Sequence, residues 1–347
     1  MTSPLLLGLL STARINRRIL PAARDSELVE VIAVASRDGA RGTAYAEENG
    51  IPRAHEGYEA LLADPDVDAV YIPLPNSLHV EWTQRALAAG KHVLCEKPLT
   101  DEPDDAEALF DLAERHGLVL VEGFMYRHNP QTRRLEELLR EGAIGRLQLV
   151  RTSFSFAVEG AENIRLDPGL AGGSLLDLGT YCVSGARLLA GEPESVLGRR
   201  LVGPTGVDDL FTGSLVFPKG VHALFDCGLR MPNRATLEAV GTEGSLFVDD
   251  PWLCRRPGIE LRRGGGLERI PVEAADSYRL ELDDLARAVA GEAPLLGRDD
   301  AVAQARALSA LRRSAVEGIP LTPTARSRVR EAPRGGPSGR SRSRSGG

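Results

Sequence analysis

The sequence predicts two folded domains: an N-terminal α/β domain with a doubly wound parallel sheet, and a C-terminal α+β domain with helices and a largely antiparallel, open-faced sheet. At 347 residues the chain is long enough to bury two separate cores. Apolar runs alternate with helical stretches in its first third, and after Gly123 short apolar runs follow one another across tight turns. We therefore expect one domain over residues 1–123, a second over residues 124–325 and a tail over residues 326–347.

The first domain is predicted from strand-like apolar runs that are each followed by a helical stretch. Such alternation is typical of parallel strands joined by crossover helices. Pro21 lies inside the first helical stretch, and we expect the helix to end or bend there because proline has no N–H to donate. The predicted strands cover residues 5–8, 29–35, 69–72, 92–95 and 118–121, and the predicted helices cover residues 13–23, 39–49, 77–89 and 104–116.

The second domain is predicted from short strands and tight turns. The runs 212–217 and 221–227 flank Pro218-Lys219-Gly220, a turn sequence that predicts a hairpin. Similar runs follow at short spacing, so we expect an antiparallel sheet. The other predicted strands cover residues 147–156, 236–240, 245–248, 259–262 and 268–272, and the predicted helices cover residues 130–141, 174–190, 278–290 and 300–317.

Charge is unevenly distributed along the chain. The formal net charge is −7, yet the segment from Arg326 to Gly347 contains seven arginines and one acid, Glu331. The remainder is strongly acidic, so we expect no nucleic-acid partner for the folded part. The Arg/Ser/Gly-rich tail cannot bury apolar surface, and we predict it to be disordered.

Several classes of protein are excluded by simple patterns. No apolar run is long enough to cross a bilayer, and the N-terminal apolar residues precede the basic ones, unlike those of a signal peptide. We therefore expect a cytoplasmic protein without a membrane partner. The four cysteines are widely spaced and form no C-x-x-C pair, which argues against a structural zinc site and a disulfide scaffold. We expect four buried thiols and no metal site.

A glycine-containing loop follows the first predicted strand. Gly8-Leu9-Leu10-Ser11-Thr12-Ala13 leads into a helix, whose N-terminus attracts a pyrophosphate in dinucleotide-binding proteins. Gly8 and Ala13 suit the first and third positions of the fingerprint, whereas Leu10 occupies the second, where glycine is usual. Alone, the segment fits an ordinary strand-to-helix turn equally well. Its place at the first strand–helix junction favours a Rossmann-type dinucleotide site.

The second strand ends in Ser36-Arg37, with Arg41 one helical turn further on. Enzymes that prefer NAD place an acid at this point to hold the ribose hydroxyls. A hydroxyl and two guanidiniums instead suit a 2′-phosphate, which favours NADP over NAD. The alternative is that Arg37 and Arg41 are solvated surface charges, and the adjacent Asp38 keeps NAD open.

Three further segments are more specific. Segments 71–79 (YIPLPNSLH), 95–98 (CEKP) and 172–181 (GGSLLDLGTY) resemble the glucose–fructose oxidoreductase/inositol dehydrogenase (Gfo/Idh/MocA) family. The resemblance covers roughly residues 4–320 and includes the order of the segments. Segment 122–127 (EGFMYR), with Tyr181, is most similar to the dihydrodiol dehydrogenase and NADP-dependent xylose dehydrogenase branch.

The resemblance implies a set of cofactor contacts. Glu96 is implied to bind the nicotinamide ribose, Lys97 to reach the reacting carbon, and Pro98 to follow a cis peptide bond. The other implied contacts are Gly8, Ser11, Thr12 and Ala13 at the pyrophosphate, Ser36 and Arg37 at the 2′-phosphate, and Leu74, Asn76 and His79 along the cofactor.

Lys97, Tyr181 and Asp177 are the candidate catalytic residues. Many family members have histidine where this chain has Tyr181, so the proton carrier does not transfer directly from the resemblance. A free tyrosine titrates near ~10, and we expect the Lys97 ammonium to lower the pKa of Tyr181 across an interdomain cleft. Asp177 precedes Tyr181 by four residues and is predicted to share its helix face. A half-buried core aromatic and a first-turn acid are the structural alternatives.

The resulting functional prediction is an NADP(H)-dependent dehydrogenase or reductase. It acts on the CH–OH or C=O carbon of a small-molecule polyol or sugar, with sugars, inositols and vicinal diols as the candidate substrates. The alternative is a non-catalytic NADP-binding regulatory protein of the same fold. By analogy we also expect a homo-oligomer, such as a dimer.

Overall fold

A six-stranded parallel sheet forms the N-terminal half of the protein. The computed structural model describes residues 3–160 and 163–324. The strands lie in the order β3-β2-β1-β4-β5-β6. Successive strands are therefore added on one side of β1 up to β3 and on its other side from β4 onward, which leaves a crevice at the carboxyl ends of β1 and β4. The strands are β1 (Leu5–Leu9), β2 (Val29–Ser36), β3 (Arg53–Glu56), β4 (Ala69–Ile72), β5 (His92–Glu96) and β6 (Leu120–Gly123).

Helices cover both faces of this sheet, as the alternating pattern predicts. Near-continuous apolar strands such as β4, in which every residue is buried, are expected for a parallel sheet covered on two sides. The helices are α1 (Asn16–Arg24), α2 (Gly39–Asn49), α3 (Tyr58–Leu62), α4 (His79–Ala88) and α5 (Pro103–His116).

An eight-stranded sheet, open on one face, forms the second half. Its order is β14-β13-β12-β11-β7-β10-β9-β8, and every neighbouring pair is antiparallel except β7 and β10. Its strands are β7 (Leu147–Ala157), β8 (Ser195–Val202), β9 (Asp208–Phe217), β10 (Val221–Gly228), β11 (Arg230–Gly241), β12 (Gly244–Asp249), β13 (Ile259–Arg263) and β14 (Gly266–Ile270).

The remaining helices tie the two halves together. Late in the chain, α8 packs against α1 and α9 packs against α5, so the second half flanks the first sheet. The helices are α6 (Pro130–Arg140), α7 (Thr180–Ala190), α8 (Ser277–Val289) and α9 (Arg298–Glu317). The predicted limits 1–123 and 124–325 stay predictions. The tail predicted to be disordered lies outside the described residues. Among the described residues, no helix is long and apolar enough to span a membrane.

Two sequence expectations need correction, and others are confirmed. Helix α1 continues past Pro21 to Arg24; Pro21 is exposed, so the carbonyl that loses its N–H partner lies on the solvent side. The predicted single helix over residues 174–190 consists of a π-helical turn followed by α7. The hairpin at Pro218–Gly220 is present, and all four cysteines are buried free thiols.

Candidate active site

The loop between β1 and α1 contains polar groups that lack a protein partner. The Ser11 hydroxyl is buried and makes no hydrogen bond within the described part of the chain. Asn16 donates from Nδ2 to the Ser11 carbonyl oxygen at 2.8 Å, while its own Oδ1 is buried and likewise unpaired among described residues. Thr12 and Ala13 beside it are half-buried. Buried polar groups are nearly always paired, so this loop fits a polar ligand.

Gly8 lies within β1 rather than in this loop. A Cβ at this position would lie 2.8 Å from a methyl group of Leu61 and 3.1 Å from Val67. A larger residue at position 8 would therefore force the Leu61 side chain of α3 to shift away from β1. The implied contact of Gly8 with a pyrophosphate stays a prediction.

The end of β2 carries a hydroxyl that is free to donate. Ser36 is buried, and its Oγ accepts from the backbone N–H of Asp38 at 3.2 Å, which leaves the hydroxyl proton available. The Asp38 carboxylate caps α2 by accepting from the backbone N–H of Arg41 at 3.0 Å. Asp38, the acid that left NAD as an alternative cofactor in the sequence analysis, thus serves as a helix cap.

Arg37 and Arg41 are the two cations that follow Ser36 in the sequence. Both are exposed, and neither forms an ion pair with residues 3–160 or 163–324. Both lie near Tyr58, whose pKa is raised by burial and pulled back by the two positive charges. The two guanidiniums lack a carboxylate partner among the described residues, although Arg37 also hydrogen-bonds to Tyr58, and their charge suits an anionic group.

His79 lies behind the cleft instead of along its surface. The residue is buried, with Nδ1 2.7 Å from the Pro98 carbonyl oxygen and Nε2 2.8 Å from that of Leu74. Burial lowers the pKa of His79, so a neutral ring donates to one of these carbonyls. His79 thus braces the loop after β4 against the loop after β5. The implied contact of His79 with the cofactor stays a prediction.

Asn76 and Glu96 fix the two sides of the cleft. Asn76 donates from Nδ2 to the Ala171 carbonyl oxygen at 2.9 Å and so bridges the two halves of the protein. Glu96 accepts from the Tyr71 hydroxyl at 2.5 Å and from the Lys97 N–H at 3.3 Å. Burial raises the pKa of Glu96, although the attraction of Lys97 opposes the rise. The Lys97–Pro98 peptide is cis, as predicted.

Lys97 and Asp177 meet across the interdomain cleft. The Lys97 Nζ donates to the Asp177 carbonyl oxygen at 2.8 Å and lies 3.5 Å from Asp177 Oδ1. The other carboxylate oxygen of Asp177 accepts from Arg165 Nε at 2.6 Å. Burial alone would raise the pKa of Asp177, but the charges of Lys97 and Arg165 outweigh it and lower the pKa. Asp177 is therefore an anion held between two cations.

Tyr181 lies against the same lysine, but not in the predicted way. The Lys97 Nζ is 4.9 Å from the centre of the Tyr181 ring, whereas the hydroxyl donates to Met125 Sδ at 3.7 Å. Burial raises the pKa of Tyr181 well above its ordinary value, and nearby Tyr278 and Glu96 add to the rise. The expectation that Lys97 lowers this pKa is wrong in this structure, because the ammonium faces the ring instead of the oxygen.

A wide helical turn presents Asp177 to Lys97. Residues Leu175–Gly179 form a π-helical turn, a rare feature that is frequent at functional sites. The Asp208 carboxylate, at the start of β9, accepts from the Ser174 hydroxyl and the Leu175 N–H, both at 2.7 Å. The turn is thus capped from a neighbouring strand, which holds Asp177 and Tyr181 on the same lysine.

An apolar cavity of about 430 Å³ lies behind one aromatic neighbour of Tyr181. Phe154 lines this cavity, and its ring centre is 5.5 Å from that of Tyr181. Phe156, Met231 and Leu253 also line it. Across residues 3–160 and 163–324, no three His, Cys, Asp or Glu side chains cluster as metal ligands do.

The structure brings the three candidate catalytic residues together and adds one that the sequence analysis missed. Lys97 contacts both Asp177 and Tyr181, whereas Arg37 and Arg41 lie apart from this cluster, near Tyr58. Arg165 was missed because it lies in an irregular loop, twelve residues before its partner Asp177. The local NIRLDP segment contains an isolated basic residue but no spacing that indicates its role.

The dinucleotide-type sheet and this interdomain cluster of lysine, carboxylate and tyrosine define a two-domain oxidoreductase. The comparison with family models agrees in both halves. The model described as "Oxidoreductase family, NAD-binding Rossmann fold" (GFO_IDH_MocA) matches residues 7–124, and the "GFO/IDH/MocA C-terminal domain" model matches residues 132–247. The protein belongs to the GFO/IDH/MocA family, which confirms the resemblance found in the sequence.

Characterised relatives span most of the chain. D-xylose 1-dehydrogenase (NADP(+)) 2 of Haloferax volcanii is 41% identical over 90% of this chain and 98% of its own. Trans-1,2-dihydrobenzene-1,2-diol dehydrogenase of Oryctolagus cuniculus is 38% identical over 65% of this chain and 69% of its own. The crystal structure of a 3-ketoreductase from Actinomadura kijaniata with NADP and TDP-benzene superposes with a TM-score of 0.86 at 36% identity, covering 90% of this chain and 98% of that one.

Proposed function

We propose that this protein is an NADP(H)-dependent oxidoreductase that transfers hydride to or from the CH–OH or C=O carbon of a sugar, inositol or vicinal diol. The observation that carries the proposal is the meeting of Lys97, Asp177 and Tyr181, from both halves of the chain, at the carboxyl edge of the parallel sheet. Open α/β sheets bind their ligands at this edge.

The chain's residues fit NADP at two points. The unpaired Ser11 hydroxyl, at the start of α1, suits a pyrophosphate oxygen. Ser36, Arg37 and Arg41 suit the 2′-phosphate, because they offer a free hydroxyl and two positive charges without a carboxylate partner in the described region. When bound, the nicotinamide supplies or accepts the hydride, and Glu96 and Lys97 line its end of the cleft.

Tyr181 donates the proton to the substrate oxygen, and Lys97 stabilises the negative charge that develops on it. Burial holds the Tyr181 pKa high, so the phenol keeps its proton at neutral pH and is in the form that can donate a proton. A donor suits the reduction of a carbonyl, whose oxygen gains a proton as its carbon gains hydride. The Lys97 ammonium, anchored on the Asp177 carbonyl oxygen, stabilises negative charge on that oxygen.

Comparisons support these assignments and the substrate class. Variants of the Actinomadura 3-ketoreductase have been solved with one lysine or one tyrosine replaced, and those two positions have the same separation along their chain as Lys97 and Tyr181. Relatives named for xylose, a diol and a sugar ketone favour a polyhydroxylated substrate. The alternative of a non-catalytic regulator has no support among them. We retain the cytoplasmic location and the homo-oligomer as proposals.

The test is a panel of candidate substrates, in which turnover is measured from the absorbance of the reduced cofactor. We expect turnover of aldoses, ketosugars, inositols or diols with NADP(H) in preference to NAD(H). The matched variant Lys97→Met should lose turnover by about a thousandfold, because the positive charge at the reacting oxygen is removed. It should still bind NADPH in a fluorescence titration. A wild-type protein that binds NADPH tightly and turns over no member of the panel would favour the regulator instead.

A further inference from the structure

Arg165 reaches the reactive centre from the loop between β7 and the π-helical turn. Its Nε donates to Asp177 Oδ2 at 2.6 Å, and its guanidinium stacks over Phe156 at 5.7 Å from the ring centre. The side chain is 39% exposed, while that of Asp177 is 15% exposed. Arg165 therefore approaches Asp177 from the open side of the cleft, opposite Lys97.

The two cations do not share Asp177 equally. The carboxylate is 2.6 Å from Arg165 but 3.5 Å from Lys97, whose short contact at 2.8 Å is to the Asp177 main-chain carbonyl oxygen. Arg165 thus draws the carboxylate away from the lysine. The three charges sum to one net positive charge, and without Arg165 the lysine and the carboxylate would form a neutral pair.

We propose that Arg165 is a positioning residue of the reaction: it holds the Asp177 carboxylate so that the Lys97 ammonium is free of a tight ion pair and directed at the substrate oxygen. This inference rests on the proposed function, in which Lys97 stabilises that oxygen. Arg165 acts through Asp177, and its own contact with substrate is not required.

The loop does not depend on the guanidinium for its backbone conformation. The Arg165 N–H donates to the Asn163 side chain at 3.1 Å, and the Arg165 carbonyl oxygen accepts from the Gly173 N–H at 2.9 Å. The Asn76–Ala171 bond fixes the same loop at its other end. Substitution of the Arg165 side chain should therefore leave the fold intact, which makes a charge-based test possible.

The decisive experiment is a double-mutant cycle of Arg165→Gln and Asp177→Asn. In the wild-type background, Arg165→Gln should lower kcat by about tenfold or more, with NADPH affinity nearly unchanged. In the Asp177→Asn background the same substitution should cost little, because no carboxylate remains to capture the lysine. Equal losses in both backgrounds would overturn the proposal and indicate direct substrate contact. Arg165→Lys should recover part of the activity, and Arg151→Gln, an exposed arginine on β7, serves as the control.

A second readout is independent of turnover and separates this inference from the proposed function. The chain has only three lysines, Lys91, Lys97 and Lys219, so ¹³C-methylated lysines give few NMR signals and keep their charge. The Lys97 signal, assigned with Lys97→Met, should titrate at higher pH in Arg165→Gln than in wild type. Most of that difference should vanish in the Asp177→Asn background. If the Lys97 signal does not respond to Arg165, this inference fails even for an active enzyme.

Discussion

The two ends of the cleft are built on opposite principles. At the end of β2, Arg37 and Arg41 are exposed and have no ion pair in the described chain, and the Ser36 hydroxyl keeps its proton free. At the reactive centre, Lys97 and Asp177 are largely buried, and each is held by partners from the other half of the protein. In the proposed function, the arginines at the first end receive their countercharge from the cofactor and have no carboxylate partner, whereas the groups that must be oriented before the reaction are held by the protein.

The largest effect is expected at the reactive centre, from removal of the Tyr181 hydroxyl. Tyr181→Phe should reduce turnover by about 100-fold or more, because the proton donor is lost with little change in shape. Tyr126→Phe is the matched control: this buried tyrosine is 6.0 Å from Tyr181 between ring centres, and its hydroxyl bonds to Ser184. Steady-state kinetics of both variants decide the matter. Near-normal turnover in Tyr181→Phe would assign the proton to Lys97.

A smaller effect is expected at the other end of the cleft, where β2 ends in Ser36 and Arg37. Ser36→Asp combined with Arg37→Ile places a carboxylate where a 2′-phosphate would lie, so preference for NADP over NAD should fall by about 10- to 100-fold. The measurement is kcat/KM with each cofactor. The exposed Arg140→Ile, on α6, controls for the loss of one positive charge. An unchanged preference for NADP over NAD would show that these side chains do not bind the 2′-phosphate.

The third test concerns the stability of the protein and not its turnover, through the buried acid Glu122 near Lys97. Burial raises the pKa of Glu122 from 4.5 to about 8, with Asp300 adding to the rise and Arg187 and Lys97 opposing it. The unfolded chain loses this proton near its ordinary pKa while the native chain keeps it. Stability therefore falls as the pH rises from about 5 to about 8 and levels off above that range.

Glu122→Gln cannot ionise, yet its amide oxygen can still accept from the Leu99 N–H, as Glu122 does at 2.8 Å. The variant should gain stability over wild type between about pH 5 and about pH 8, by roughly 3 kcal/mol. Denaturant melts at both pH values measure the difference. A constant difference between the two proteins at both pH values would show that Glu122 does not titrate in this window.

Elements with strong periodicity could be predicted from the sequence, and short polar ones could not. The long helices and the buried strands of the first sheet follow from apolar alternation and spacing. β3 (Arg53–Glu56) and α3 (Tyr58–Leu62) were missed, because a four-residue strand of RAHE has no apolar pattern and a five-residue helix is too short to show a period. β8 (Ser195–Val202), with GRR at its centre, was missed for a similar reason.

The candidate site divides in the same way. Ser36, Arg37 and Arg41 are neighbours in sequence, so their grouping at one strand end could be predicted. The contact of Lys97 with Asp177 joins residues 80 positions apart, and the sequence analysis, which paired Lys97 with Tyr181, did not predict it. The direction of the Tyr181 pKa could not be predicted, because it depends on which part of the ring the ammonium faces and on burial by aromatic neighbours.

The packing of α9 against α5 has a consequence for how the protein is made. Arg298 on α9 binds Glu107 and Asp111 on α5, and the small apolar faces of Ala106 and Ala305 meet in the same contact. During synthesis the N-terminal sheet leaves the ribosome well before residue 298, since chains fold from the N-terminus as they emerge. Until then, the acidic and apolar faces of α5 stay uncovered. A nascent chain that ends before α9 therefore exposes a face of α5 that the folded protein covers.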